Sequence, residues 1–157
     1  MNSINSMQIM FNDKDYATVT SLLQSALTTN CTFDKMLVIY GSGGNGKTFL
    51  MDSLQKAFPS KMAHAPLGIV CAMNGMNNNL RIIWIEAVVE DFKPSFVKET
   101  LGNNNNILYV LLSNTKLPIH PEDQAVYHRL EIVECNKCIS DALKQSDINK
   151  TIDMFRL

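Results

Sequence analysis

The sequence predicts a three-layer α/β domain built on a mostly parallel five-stranded sheet, and three observations predict it. Short apolar, β-branched runs alternate along the chain with stretches whose apolar residues recur at helical spacing. The runs are apolar almost throughout rather than at every second residue, as expected of strands covered on both faces. Between the first run and the helix after it lies Gly41-Ser42-Gly43-Gly44-Asn45-Gly46-Lys47-Thr48, a G-x-x-x-x-G-K-T loop, which belongs at a strand-to-helix junction.

Taken in order, residues 1–12 are polar and read as a flexible N-terminus, with residues 13–157 as one domain. Residues 13–28 place Tyr16, Val19, Leu22, Leu23, Ala26 and Leu27 on one helical face, with acidic residues in the first turn. Met36-Leu37-Val38-Ile39-Tyr40 is the first strand, and the helix after the glycine loop stops at Pro59. Residues 67–73 read as a second strand ended by Asn74-Gly75, and residues 81–86 as a third. A short helix starts at Pro94 and ends at Gly102. Residues 107–112 form the fourth strand, residues 121–127 a helical turn or two, and residues 130–135 the fifth strand. Residues 140–157 read as a helical tail.

The glycine loop carries the chemistry. Its glycines let consecutive backbone N–H groups close around a phosphate with no Cβ in the way. Lys47 can reach the β- and γ-phosphates, Thr48 offers a hydroxyl to Mg²⁺, and the next helix aims its positive end at the anion. The implied ligands are ATP and Mg²⁺. All eight residues, Gly41, Ser42, Gly43, Gly44, Asn45, Gly46, Lys47 and Thr48, are candidates for the nucleotide site.

Composition narrows the remaining classes. The chain has 157 residues and a formal net charge of −1, which argues against wrapping nucleic acid over the whole surface. No apolar run is long enough to span a membrane, and the first residues lack a secretory pattern, so an intracellular location is expected. Asparagine clusters at 77–79 and 103–106 read as compositional bias rather than chemistry. Cys135 and Cys138 form a C-x-x-C, but neither Cys31, Cys71 nor the histidines supply a second ligand pair for zinc, so reduced thiols are expected.

Ligand sites of parallel sheets lie at the carboxyl ends of strands, which directs attention to the polar residues there. Glu86 ends the third strand, placed to hold Mg²⁺ directly or through water. Asn114 follows the fourth strand, where an amide can hydrogen-bond an attacking water. Arg129 precedes the fifth strand and can complete a neighbouring subunit's nucleotide site, or pair with Glu131 on the surface.

In order and spacing, the glycine loop, Arg81-Ile82-Ile83-Trp84-Ile85-Glu86, Leu112-Ser113-Asn114 and His128-Arg129-Leu130 resemble the A, B, C and arginine elements of superfamily 3 helicases, viral AAA+ motors. The third strand looks most like parvovirus and densovirus replication proteins, and the loop also resembles poxvirus-type primase-helicases. The resemblance covers about residues 15–135. It implies an AAA+-like P-loop NTPase fold, ATP hydrolysis in viral DNA replication, a homo-oligomeric ring, possible contact with DNA, and a host nuclear or cytoplasmic setting. Two departures stand out. The family's second acidic residue after the first is here Ala87, with Glu90 and Asp91 further along, which implies slow turnover. Only residues 103–106 separate the helix that starts at Pro94 from the next strand, leaving no room for the family's DNA-contacting β-hairpin; Lys93 and Lys98 remain as candidates for backbone contact. No nicking-nuclease pattern precedes the loop, so the chain reads as a bare motor core.

Two other functions fit the loop. One is a nucleotide-binding assembly or regulatory subunit with weak hydrolysis. The other is a small P-loop kinase, disfavoured because such enzymes surround the transferring phosphoryl with several arginines and this chain has only Arg81, Arg129 and Arg156.

Overall fold

The computed structural model describes residues 6–41, 46–65, 79–86, 92–103, 106–117, 123–135 and 145–156. The first helix, α1, is Ser6–Met10, and α2 is Asp13–Thr28. Asn12 caps α2, its side-chain oxygen accepting from the Asp15 N–H at 2.8 Å, and Asp13 and Asp15 place negative charge against the helix's positive end. Val19, Leu23, Ala26 and Leu27 form its buried stripe, at the spacing the sequence predicts. Of the N-terminus expected to be loose over residues 1–12, residues 6–12 are described. Met7, Met10 and Phe11 are buried in the main core, because α1 packs against α2 and a helix near the C-terminus.

Strand β1 is Met36–Tyr40, α3 is Lys47–Ala57, and β2 is Met62–His64. Strand β3 is Ile82–Glu86, α4 is Pro94–Asn103, and β4 is Leu108–Ser113. Helix α5 is Gln124–Tyr127, β5 is Leu130–Glu134, and α6 is Gln145–Met154. All five strands are parallel, in the order β2-β3-β4-β1-β5. Strand β2, Met-Ala-His, carries no β-branched residue and is an edge strand, paired as Met62↔Ile82 and His64↔Trp84. The strand expected over residues 67–73 lies outside the described residues.

Strand parity builds the three layers, since successive side chains point to opposite faces. Leu37, Ile39, Ile82, Trp84, Leu108, Val110, Leu112 and Val133 pack with buried residues of α1, α2, α3 and α6. The alternate residues Met36, Val38, Ile83, Ile85, Tyr109, Leu111 and Leu130 pack with Phe92, Val97 and Val126 from the side of α4 and α5. Because both faces are covered, the central strands read as unbroken apolar runs. Among the described residues no helix is long and apolar enough to cross a membrane.

Candidate nucleotide site

The strand order places the site. From β1 the chain crosses to β2 on one side, whereas β5 lies on the other, so the carboxyl end of β1 is the point where the winding reverses, the place where such sheets take their ligands. Two backbone hydrogen bonds fix this end. The Gly41 N–H donates to the Ser113 carbonyl at 3.1 Å, and the Cys135 N–H donates to the Tyr40 carbonyl at 2.8 Å. The loop thus leaves the sheet clamped between the ends of β4 and β5.

Ser42, Gly43, Gly44 and Asn45 lie outside the described residues. The loop's end is described. Gly46 is the N-cap of α3 at φ 84°, a left-handed conformation that a side chain would penalise by about 1–2 kcal/mol. This explains the glycine before Lys47. Lys47 is buried, and its Nζ donates to the Gly41 carbonyl at 2.9 Å, so the ammonium spans the mouth of the loop from its last residues to its first. Burial pushes its pKa below the ordinary lysine value of 10.5, and the Cys135 thiol nearby acts in the opposite direction.

The Thr48 hydroxyl donates to Glu86 Oε1 at 2.7 Å, joining two residues 38 apart in sequence. Thr48 opens α3 and Glu86 closes β3; both are exposed at the same edge. Adjacent oxygens on an octahedral ion with bonds of about 2.0–2.1 Å stand about 2.9 Å apart, so this pair fits the oxygen donors that Mg²⁺ takes. Asn114 is exposed immediately past β4, in a turn where Ser113 Oγ accepts from the Thr115 N–H at 3.2 Å and donates to the Thr115 carbonyl at 2.5 Å. Since Glu86 pairs in register with Leu112 and Tyr40 with Ser113, Asn114 shares the edge occupied by Gly41 and Glu86.

Arg129 is not brought to this group. Its carbonyl accepts from the Met36 N–H at 2.8 Å, which puts it where β1 begins, about 17 Å of strand from Gly41. Its Nη1 donates to the Ala125 carbonyl of α5 at 2.7 Å, while Glu131 pairs with Lys35 at 3.5 Å rather than with Arg129. Ala87, Glu90 and Asp91 lie outside the described residues, and Lys93 and Lys98 are exposed around the start of α4.

Two neighbours of the site, Gln55 and His64, escape a reading of motifs. Trp84 donates through Nε1 to Gln55 Oε1 at 2.6 Å, and the His64 ring stacks on it at a centroid distance of 4.0 Å. These contacts tie α3 and β2 to the strand that carries Glu86. The parity of 84 and 86 signals that Trp84 and Glu86 share a face; nothing in the sequence signals Gln55 or His64. Cys135 is buried beside Lys47, and Cys138, the other half of its C-x-x-C, lies outside the described residues.

No family model matches the chain, and no curated protein sequence matches it significantly. Solved structures of the NrS-1 C-terminal region are similar in fold. An A-form apo structure superposes with a TM-score of 0.70 at 16% identity, covering 96% of this chain and 42% of that one. Two further apo structures of the region give TM-scores of 0.65 and 0.69 at 16% and 17% identity, each covering 96% of this chain and 41% and 42% of theirs. The chain therefore spans about two-fifths of the length of these structures, and at such identities the likeness is one of fold: three layers around a parallel five-stranded sheet.

Proposed function

We propose that the chain is an ATP-binding and hydrolysing motor core of the superfamily 3 helicase type, acting as an oligomer in viral DNA replication. The observation that carries the reading is the hydrogen bond between Thr48 and Glu86 at 2.7 Å, beside Lys47 at the mouth of the loop. Lys47 and the loop amides hold the triphosphate, Lys47 exchanging the Gly41 carbonyl for phosphate oxygens. Thr48 and Glu86 would hold Mg²⁺, which when bound shields the charge on the β- and γ-phosphates. Asn114 orients water at the same edge. The order of the four sequence elements supports the helicase assignment, and the fold likeness supports the scaffold alone.

Release of phosphate from Mg-ATP tests the reading. Wild-type protein is expected to release it slowly, Lys47→Ala to fall to background, and Ala87→Glu to run faster than wild type. An ATP-dependent signal untouched by Lys47→Ala sinks the proposal, as does a chain that neither binds nor hydrolyses ATP.

A second reading, a nucleotide-binding assembly subunit, is favoured by one feature: α4 ends at Asn103 and β4 begins at Leu108, so no DNA-contacting hairpin fits between them. ATP binding without turnover, accompanied by a change in oligomeric state, would select this reading.

A further inference from the structure

At the opposite edge of the sheet from Thr48 and Glu86, a cavity of about 580 Å³ opens among the ends of α2, α3 and α6. Lys61, Arg81 and Arg156 line it, and among the described residues no aspartate or glutamate does, in a chain whose acidic residues outnumber its basic ones. Two of the chain's three arginines are therefore here. Among the described residues, the ion pairs are Lys35 with Glu131 and Lys56 with Asp52, so none of the three cations is paired with a carboxylate.

Part of this charge serves the fold. Arg81 donates to the carbonyls of Ala26, Thr29, Cys31 and Asn106, and Lys61 Nζ donates to the Leu27 carbonyl at 2.7 Å, which neutralises the carboxyl end of α2. The demand does not exhaust the supply. Each helix end carries about half a negative charge, so three cations against three ends leave the wall positive by about one and a half charges. Arg156 is exposed just past α6 and lines the cavity.

We infer that this cavity is a contact site for the phosphodiester backbone of single-stranded nucleic acid. The arrangement differs from a site for a compact phosphate. Among the described residues no helix amino end and no glycine lines the cavity; its cations come from three separate segments, before β2, before β3 and after α6. Long cationic side chains spread along a cleft match successive phosphates of a strand. Asn30 and Asn79 add amides, and the half-buried Phe58 ring adds an apolar surface against which a base can lie. The site is distinct from the nucleotide loop, since α3 runs from Lys47 at one to its C-cap residue Phe58 at the other.

Fluorescence anisotropy of a labelled 15-nucleotide oligothymidylate with the full chain tests the inference. Binding is expected with a Kd of about 10⁻⁶ to 10⁻⁴ M in about 50 mM salt, weakening with a log–log salt slope of about −2, as about three phosphate contacts give. Arg156→Glu, at an exposed position, should weaken binding about tenfold and make the slope shallower by at least about 0.7. Lys61→Gln should act in the same direction, whereas Lys47→Ala should leave oligonucleotide binding unchanged even as it removes ATP binding. Circular dichroism confirms that each variant is folded; Arg81 is left intact because it also holds α2. No binding up to about 200 μM, or binding indifferent to both Arg156→Glu and Lys61→Gln, overturns the inference. Pyrophosphate separates the two sources of phosphate: if it binds with the same sensitivity to these variants while the oligonucleotide does not, the site is one for free phosphate and the strand assignment fails.

Discussion

Lys47 is held as a charge in a place that penalises charge. Its ammonium is buried against the Gly41 carbonyl, and desolvation lowers its pKa from 10.5. Between the lowered value and 10.5 the unfolded chain binds more protons than the folded one at this residue, so its contribution to stability rises with pH across that window. Tyr40, one residue before the loop, acts the other way. Desolvation, then the nearby Glu134 carboxylate, raise its pKa above 10.0, so its contribution falls once pH passes 10.0. A bound polyphosphate reverses the balance at Lys47 by supplying the opposite charge. Nucleotide affinity should therefore be level near neutrality and decline at a pH below 10.5, with proton uptake on binding that grows through the decline. Calorimetric titrations in buffers of different ionisation enthalpy, from about pH 7 to pH 10, measure that uptake directly. Uptake that stays at zero across the range would contradict the burial of Lys47 as the cause.

At the scale of elements, α2 shows why so much of the fold is legible and some of the site is not. Its start and buried stripe follow from Asn12, Asp13 and the spacing of Val19, Leu23, Ala26 and Leu27, all local signals. What holds its carboxyl end is not local: Arg81 reaches back about 50 residues to three of its carbonyl neighbours, with its guanidinium 5.8 Å from the Phe33 ring centroid. Sequence reading makes Arg81 the first residue of a strand; the strand begins at Ile82, and the side chain works as a cap. Arg81→Ala should cost about 2–4 kcal/mol in urea unfolding, since several carbonyls lose a charged donor at once. Arg81→Lys should recover only a small part, because one ammonium cannot match a fork that serves separate carbonyls. A loss below about 1 kcal/mol would mean that water satisfies those carbonyls as well as the arginine does. The same contrast divides the candidate site. The loop and Glu86 are legible because motif and strand end coincide, whereas Gln55 and His64 enter through packing across α3 and β2, which leaves no mark on sequence spacing.

For the whole molecule, the decisive fact is that the sheet has two edges and the candidate residues do not share one. Lys47, Thr48, Glu86 and Asn114 lie at the carboxyl edge, and Arg129 lies at the amino edge, about 17 Å of strand away. Within one subunit Arg129 cannot touch phosphates held by Lys47. If it contributes to hydrolysis it does so in a neighbour, through a head-to-tail contact of the kind that closes into rings. This makes a sharp demand on mixtures. Lys47→Ala and Arg129→Ala should each lose ATP hydrolysis when assayed alone, the arginine variant by about 10³-fold or more where a finger of this kind operates. Combined, they should regain activity, because an Arg129→Ala subunit keeps an intact loop and a Lys47→Ala neighbour supplies the missing arginine. The recovered rate should rise with total protein concentration and peak near equal proportions, as assembly requires. Light scattering on the same mixtures should show oligomers in Mg-ATP. Two inactive variants that stay inactive together, while co-assembling, would remove Arg129 from the reaction and leave it as the cap of α5 that its bond to Ala125 describes.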